Sequence, residues 1–262
     1  MVKLLGKKEL REKVIKHFKF IKEEISEKGY SELKGVFTAK TIKSIISEVN
    51  KGSEVDKYFD RNQNERRIER LYDKGYNLSR VNRKILKILE LIYGFEWKIF
   101  KDKFNSKPPG GEGFYSHFDG VFIFTDKDGE ERNGWYTYAN QFVSVLVAID
   151  DFTPDNGPIE LSPEVKGTFQ EILEFTKKDG TPNLTESYEN QCIFENFFPK
   201  IGDIIIFNAN CPHRSDINHS KSPRRTLYYS YNPSSQGDHY KKYFEDKHSS
   251  RNSNSKSLTG DI

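Results

Sequence analysis

The sequence predicts a mainly β fold with flanking helices: a jelly roll of two packed sheets that rests on helices from the first part of the chain. Three observations predict it. Apolar residues recur at helical spacing as far as Gly94, the period changes to two from Phe95, and the later segments are short and separated by turn residues. A chain of 262 residues is expected to form one domain with a substantial core.

Three helices are predicted before the change of period. The first carries one apolar stripe, made of Leu10, Val14, Phe18, Ile21 and Ile25. The predicted bounds are 8–27, Thr38 to about Gly52, and Asn77 or Ser79 to Gly94. The stretch 51–76 is polar, and we expect it to be partly irregular.

The later segments predict strands with turns between them. The predicted strands are Trp97–Phe104, the segment of His117, Val121–Thr125 and Trp135–Tyr138 around a hairpin turn at Asp126–Gly129, Gln141–Ile149, Gln191–Phe198, Asp203–Phe207 and Thr226–Tyr231. One amphipathic helix is predicted over 164–178. We expect a single domain over 1–247, helical over about 1–94 with its jelly-roll core over about 95–233. The segment 248–262 is rich in Ser and Asn, and we expect it to be a disordered tail.

Composition excludes several classes of protein. The 42 Lys and Arg nearly balance the 39 Asp and Glu, so a net charge of +3 gives no basic field for nucleic acid. No apolar run approaches the length of a membrane span. Cys192 and Cys211 are too few for a disulfide framework. We therefore expect a cytoplasmic protein that acts on a small molecule.

The most specific feature is a set of metal-ligand side chains. His117 and Asp119 stand at i and i+2, and on a strand such residues face the same side. His213, brought over by the fold, would complete two imidazoles and one carboxylate, the donor set of non-haem Fe(II) oxygenases. Arg224 adds a planar cation suited to the far carboxylate of a dicarboxylic cosubstrate.

The segments Lys103–Gly120 and Asn208–Arg225 resemble the phytanoyl-CoA dioxygenase-like Fe(II)/2-oxoglutarate oxygenases, which include the ectoine hydroxylases. The resemblance covers about Phe100 to Asn232 and implies a cupin-like double-stranded β-helix. It also implies that His117, Asp119 and His213 bind Fe(II). The spacing from His213 to Arg224 is the one that this family uses for the arginine that binds 2-oxoglutarate.

The same resemblance implies the cosubstrate site and the reaction. Arg224, with Ser215 on the face of His213, would bind 2-oxoglutarate; Lys107 and Asn105 are further candidates. Arg225, by strand alternation, is expected on the opposite face. The implied reaction consumes O₂ and 2-oxoglutarate, releases succinate and CO₂, and hydroxylates an unactivated C–H. Halogenating relatives lack the carboxylate ligand, so the presence of Asp119 favours hydroxylation.

The substrate is predicted only by class: a small polar metabolite such as an amino acid, an aminophosphonate or a compatible solute. Candidate contacts are Tyr115, Tyr136, Tyr138, Asn140 and Gln141. Two alternatives stay open. One is a jelly-roll metalloenzyme that uses Zn or Ni without a 2-oxo acid, which would not need Arg224 or Ser215. The other is a non-catalytic binding protein, which would tolerate loss of the ligands.

Overall fold

The computed structural model describes residues 7–50, 56–60, 63–126 and 128–252. Its elements, in chain order, are α1 (Lys7–Lys28), β1 (Tyr30–Leu33), α2 (Ala39–Val49), β2 (Lys57–Phe59), β3 (Glu65–Glu69), α3 (Tyr76–Tyr93), β4 (Trp97–Lys107), β5 (Phe114–His117), β6 (Phe124–Thr125), β7 (Glu131–Arg132), β8 (Val143–Ala148), β9 (Ile159–Leu161), α4 (Phe169–Leu173), α5 (Glu186–Glu189), β10 (Glu195–Phe197), β11 (Ile204–Asn208), β12 (His213–Ser215), β13 (Arg224–Pro233) and α6 (Tyr240–Asn252). Among these, no helix combines the length and apolar character that crossing a bilayer requires.

Two antiparallel sheets form the centre of the fold. The larger has seven strands in the order β1-β11-β8-β13-β4-β3-β2, and the smaller has four in the order β10-β9-β12-β5. Leu146 and Phe207 of the larger sheet share one apolar cluster with Ile159 and Leu161 of the smaller sheet. The two sheets therefore pack face to face, which confirms the predicted jelly roll.

The helices cover the outer face of the larger sheet. On β8, Val143, Val145 and Val147 join the apolar cluster of the helices, whereas the side chains between them face the second sheet. Burying an aliphatic side chain of this kind stabilises the fold by roughly 1.5–3 kcal/mol. The outward face is thus held by packing, and the inward face can carry polar groups.

The predicted start of the second helix and the predicted end of the third are confirmed, and the third begins at Tyr76, just before the predicted Asn77. The Thr38 hydroxyl accepts a hydrogen bond from the Thr41 amide and caps α2. Gly94 ends α3 in the left-handed region, at φ 83°, where a side chain would be strained. Helix α1 extends one residue beyond each predicted end, within ordinary variation of helix boundaries. Helix α2 ends at Val49 with Asn50 as its C-cap, slightly before the stop expected near Gly52, a residue that lies outside the described part of the chain.

The stretch predicted to be partly irregular contains two strands. β3 pairs with β4, and β2 pairs with β3, so both extend the larger sheet at one edge. Arg67 and Glu69 of β3 are buried, although polar strands of this composition are usually solvated. The strand was missed because its buried side chains are charged and therefore leave no apolar alternation.

Several predicted elements are shorter or different in the structure. The hairpin around Asp126 has only two residues in each strand, β6 and β7. The predicted strand at Trp135 is a 3₁₀ helix, Gly134–Thr137, because the Trp135 ring packs directly on Gly120, where a side chain would meet it. The helix predicted over 164–178 is reduced to α4, which begins at a Thr168–Glu171 capping box. The strand predicted over Gln191–Phe198 is reduced to β10, Glu195–Phe197. The short β1, β9 and α5 were not predicted.

The predicted disordered tail is wrong over residues 248–252, which form the end of α6. Tyr243 and Phe244 of this helix are buried in the cluster that contains Phe100. Lys247 is fully buried and forms an ion pair with Glu69. These anchors hold a helix whose exposed face is polar, so composition alone suggested disorder. Residues 253–262 lie outside the described part of the chain.

Candidate metal centre and its neighbours

Strand pairing brings the three predicted metal ligands together. His117 ends β5 and is the direct partner of His213, the first residue of β12. Asp119 follows two residues after His117, and its amide donates to the Ala209 carbonyl at 3.0 Å. One ligand atom from each of His117, Asp119 and His213 lies within 4.8 Å of the others. Three donors thus converge from separate segments on one point.

Hydrogen bonds orient each of these side chains. The Nδ1 of His117 lies 2.7 Å from the Tyr115 carbonyl, and the Nδ1 of His213 lies 3.1 Å from the Cys211 carbonyl. Since a carbonyl only accepts, each Nδ1 carries the proton and each Nε2 is the nitrogen that can bind a metal. The Ser144 hydroxyl donates to Asp119 Oδ2 at 2.6 Å. The three side chains are therefore aimed before any metal binds.

The protonation states also suit a divalent metal. Burial and the neighbouring His213 lower the pKa of His117 to about 3. Burial lowers the pKa of His213 as well. Burial alone would raise the pKa of Asp119, but the charges of His213 and Lys103 hold it below its usual value. At neutral pH the site then presents two neutral imidazoles and one carboxylate, the state that binds a metal.

A second polar group lies beside the ligands, where the cosubstrate was predicted. Lys107 and Arg224 are direct partners on β4 and β13. The Lys107 Nζ donates to the Ser215 hydroxyl at 2.9 Å, and Ser215 stands two residues after His213 on β12. Arg224 Nη2 donates to the Gly157 carbonyl at 3.0 Å, which Lys107 also contacts. The structure therefore brings Arg224, Ser215 and Lys107 together.

Arg224 is a buried guanidinium, 3% exposed. Its Nε has no hydrogen-bond partner within the described residues, and the guanidinium lies 4.8 Å from the centre of the Phe152 ring. Burial lowers its pKa from the ordinary value. Arg225 faces the other side, as alternation predicts, and pairs with Asp150 at 2.7 Å. A buried guanidinium with an unsatisfied donor is poised for an anionic ligand.

A cavity of about 50 Å³ lies over the metal ligands. Asn105, predicted as a cosubstrate contact, lines it and accepts from Arg67 Nε at 3.3 Å. Arg67, Lys101 and Lys103 also line the cavity, and sequence reasoning missed them. A signal was present, since β4 carries polar side chains at positions 101, 103, 105 and 107, all on one face.

The five predicted substrate residues lie outside that lining. Tyr115 is 57% exposed, and Tyr136 and Tyr138 donate to Asn210 and Asp246. Asn140 and Gln141 are exposed. The backbone of Tyr115 does contribute to the metal centre, because its carbonyl orients His117.

The residues present fit Fe(II) and a 2-oxo acid. Two neutral imidazoles and one carboxylate on one side of a point are the donors that an Fe(II) oxygenase uses. The orphaned Nε of Arg224 is an observation of this structure that calls for a carboxylate. Fold and donor set together define a class: jelly-roll proteins that hold a metal through two histidines and a carboxylate. Residues 25–226 match the profile of the phytanoyl-CoA dioxygenase (PhyH) family; the chain belongs to this family.

Curated relatives and solved structures agree with this membership. The chain is 30% identical over 149 residues to the methylphosphonate hydroxylase of Gimesia maris, covering 57% of this chain and 50% of the relative. It is 28% identical over 165 residues to a 2-aminoethylphosphonate dioxygenase of an uncultured bacterium, covering 60% and 57%. The match thus spans only about half the length of these relatives. The apoform of EctD from S. alaskensis superposes with a TM-score of 0.64 at 18% identity, over 82% of this chain and 76% of that one, which shows the shared fold.

Proposed function

We propose that the chain is an Fe(II)- and 2-oxoglutarate-dependent dioxygenase that hydroxylates an unactivated C–H of a small polar metabolite and releases succinate and CO₂. The observation that carries the proposal is that one strand holds both a metal-ligand residue and a residue of the cosubstrate site. β12 begins with the ligand His213 and ends with Ser215, which contacts Lys107 beside the buried Arg224. A metal and a dicarboxylic cosubstrate would therefore lie side by side.

In this proposal His117, Asp119 and His213 hold Fe(II), which supplies the activation of O₂ when bound. Ser144 fixes the carboxylate ligand through its hydrogen bond to Oδ2. Arg224, Lys107 and Ser215 hold the distal carboxylate of 2-oxoglutarate. Asn105 lines the cavity beside them and is a further contact.

The chain's own residues also control what reaches the site. Phe118 and Trp135 are buried side chains that line the cavity. An apolar wall of this kind keeps bulk water from the reacting atoms, so that the substrate C–H is the group that reacts.

The substrate is proposed by class: an amino acid, an aminophosphonate or a compatible solute. The side chains that line the cavity are mostly polar or charged, which supports a polar molecule. The names of two curated relatives, methylphosphonate hydroxylase and 2-aminoethylphosphonate dioxygenase, support the phosphonate among these three.

An anaerobic titration tests the cofactors. Fe(II) and 2-oxoglutarate, added together to the protein without O₂, should give the weak visible charge-transfer band of a 2-oxo acid bound to iron. Fe(II) alone should not give it. A protein that binds the metal but shows no band with 2-oxoglutarate would be the metalloenzyme that uses no 2-oxo acid. A protein that binds neither would be the non-catalytic alternative.

A further inference from the structure

We infer that the carboxamide of Asn183 contacts the substrate beside His117 and selects a substrate group that donates a hydrogen bond, an ammonium or a hydroxyl. The inference rests on the proposed function, because it names a contact and a substrate feature for the same site. Asn183 belongs to residues 176–184, which we call the edge hairpin.

The edge hairpin adds a short extended segment to the smaller sheet, next to β5. Its two arms pair with each other in antiparallel fashion. Its turn is closed by the Asp179 carboxylate, which accepts from the amide and the hydroxyl of Thr181. On the returning arm, Asn183 is the direct partner of His117. The turn is therefore held by Asp179 rather than by the Asn183 side chain.

His117 and Asn183 are close neighbours in this pairing. Two backbone hydrogen bonds, of 3.2 and 2.8 Å, join the residues on either side of the pair. That pattern defines a non-hydrogen-bonded antiparallel pair, in which the Cα atoms lie about 4.5 Å apart and the side chains are closer than in the alternate pairs. The Asn183 side chain therefore starts beside that of a proposed metal ligand.

Asn183 lies on the face of the smaller sheet that holds the metal ligands. Direct partners in an antiparallel sheet share a face, and one row of such partners crosses this sheet: Leu161, His213, His117 and Asn183. Leu161 packs between the two sheets. Leu184, the residue after Asn183, packs in a different apolar cluster, that of α4. By alternation, Asn183 faces the inside of the jelly roll.

The Asn183 side chain carries a buried acceptor that the protein leaves unpaired. Asn183 is 9% exposed, and its Oδ1 has no hydrogen-bond partner within the described residues. Asparagine is unfavourable in strands, and a buried acceptor without a donor costs free energy. The preceding residue, Pro182, lines the cavity over the metal ligands. An amide oxygen at that edge of the cavity is therefore available to a donor on a bound ligand.

An unpaired amide oxygen discriminates between substrates by the groups that they bring to it. An ammonium or a hydroxyl donates a hydrogen bond to this oxygen, whereas a methyl group cannot and an anionic oxygen is repelled. A site that hydrogen-bonds a substrate group also rejects the analogue that lacks this group, because the polar atom of the site is then left unpaired.

The donor requirement divides the three proposed substrate classes. Amino acids and aminophosphonates carry an ammonium, and hydroxylated compatible solutes carry a hydroxyl. Compatible solutes whose nitrogen is fully methylated, and which have no hydroxyl, carry no donor for Asn183. The contact therefore selects substrates with a free amine or a hydroxyl and rejects their fully methylated counterparts.

Matched probes test the contact on the anaerobic protein loaded with Fe(II) and 2-oxoglutarate. Two series are titrated calorimetrically: alanine, lactate and propanoate, and 2-aminoethylphosphonate, 2-hydroxyethylphosphonate and ethylphosphonate. In at least one series, a donor-bearing member should bind about tenfold or more tightly than the member without a donor, a difference of about 1.4 kcal/mol. The tighter of the two donor-bearing members identifies an ammonium or a hydroxyl. Equal binding within both series, or no binding of any probe, would overturn the inference.

Variants assign the donor preference to Asn183. Asn183→Leu removes the carbonyl oxygen at similar volume and should reduce the preference to less than about threefold. Asn183→Asp keeps an acceptor at the same place and should retain the preference, with tighter binding of the amine. Asn190→Leu, at an exposed position, is the matched control and should leave the preference unchanged. A full preference in Asn183→Leu would assign the donor contact to another residue.

Thermal unfolding separates a binding role from a structural one. An unpaired buried carbonyl is unfavourable to the fold, so Asn183→Leu should leave the melting temperature of the ligand-free protein unchanged or raise it. Fe(II) binding should persist, because His117 keeps its hydrogen bond to the Tyr115 carbonyl. A lower melting temperature together with weaker binding of every probe would make Asn183 a structural residue and refute the contact.

The failure of this inference can be distinguished from failure of the proposed function. If the visible band with 2-oxoglutarate forms but Asn183→Leu leaves the donor preference intact, the dioxygenase stands and the contact falls. If no band forms while the protein without 2-oxoglutarate still prefers the donor-bearing probes through Asn183, the contact stands and the dioxygenase falls.

Discussion

Two groups of basic side chains meet on one face of strand β4, and the groups differ in how they are formed. At its end, Lys107 lies with Arg224 and Ser215, whose spacing to His213 can be read along the chain. Nearer its start, Lys101 and Lys103 lie beside Arg67, which comes from β3. The first group is placed by a local motif, and the second exists only because an unpredicted strand joins the sheet.

The two groups also differ in what balances their charge. Arg224 has an unsatisfied Nε within the described structure and lies against neutral groups, among them the Gly157 carbonyl, the Phe152 ring and the Tyr228 side chain. Arg67 has the permanent carboxylate Glu69 at 3.8 Å, which Lys247 shares. The charge of the first group is therefore left for a ligand, whereas the second group has a carboxylate of the protein itself beside it.

The largest effect is expected from substitutions that remove a ligand of the proposed metal. His213→Ala leaves too few strong donors for tight Fe(II) binding, so succinate formation should fall to background. Asp119→Gly should abolish hydroxylation as well. The control is His219→Ala, which alters an exposed histidine in the loop between Ser215 and Arg224. Succinate release near the original rate in His213→Ala would exclude that residue from the metal site.

The next largest effect is expected from removing the buried guanidinium of Arg224, in the first group. Arg224→Ala should raise the 2-oxoglutarate concentration needed for half-maximal activity by roughly 100-fold, about 2.8 kcal/mol at 1.4 kcal/mol per tenfold. Fe(II) binding, measured separately, should persist. Arg225→Ala should change the requirement less than about threefold, because its side chain pairs with Asp150 on the opposite face. A larger effect of Arg225→Ala would show that the cosubstrate lies on the other side of β13.

Much of the fold could be predicted from periodicity, because its main elements bury apolar residues. The stripe of α1, the cap at Thr38 and the stop at Gly94 are local signals, and each corresponds to an observed helix boundary. Periodicity did not predict β3 or the end of α6, and the two share one reason. Their anchors are Glu69 and Lys247, and a buried ion pair between distant segments leaves no pattern in either one.

The candidate site also has a part that the sequence predicts and a part that it does not. His117 with Asp119, and Ser215 with His213, are pairs at i and i+2, which a strand must place on one face. The substrate contacts could not be predicted, because aromatic and amide side chains near the site serve the core equally well. Tyr138, for example, hydrogen-bonds Asp246 of α6 rather than facing the cavity. Proximity in sequence therefore did not indicate which side chains line the cavity.

The first group should also make cosubstrate binding depend on pH. Burial, with the nearby charge of Arg224, lowers the pKa of Lys107 to about 6. Above that pH the free protein holds Lys107 neutral, while a bound dicarboxylate favours the charged form, so binding takes up a proton. Affinity for 2-oxoglutarate should fall by up to about tenfold per pH unit from pH 7 to 8. Calorimetry in buffers of different ionisation enthalpy measures the uptake. Lys107→Met should abolish it; the same uptake in that variant would assign the proton elsewhere.

The smallest expected effect lies between the two groups, at the pair of serines on β8 and β13. Ser144 donates to Asp119 Oδ2 at 2.6 Å and lies 3.1 Å from the Ser230 hydroxyl. Removing a group that orients a metal ligand typically weakens metal binding 10- to 100-fold. Because Asp119 keeps its backbone position through the Ala209 carbonyl, Ser144→Ala should fall near the lower end, about tenfold, as measured by competition with a chelator. Ser47→Ala, at an exposed position of α2, should leave metal binding unchanged. Metal binding as tight in Ser144→Ala as in the original protein would show that this hydroxyl does not orient the metal ligand.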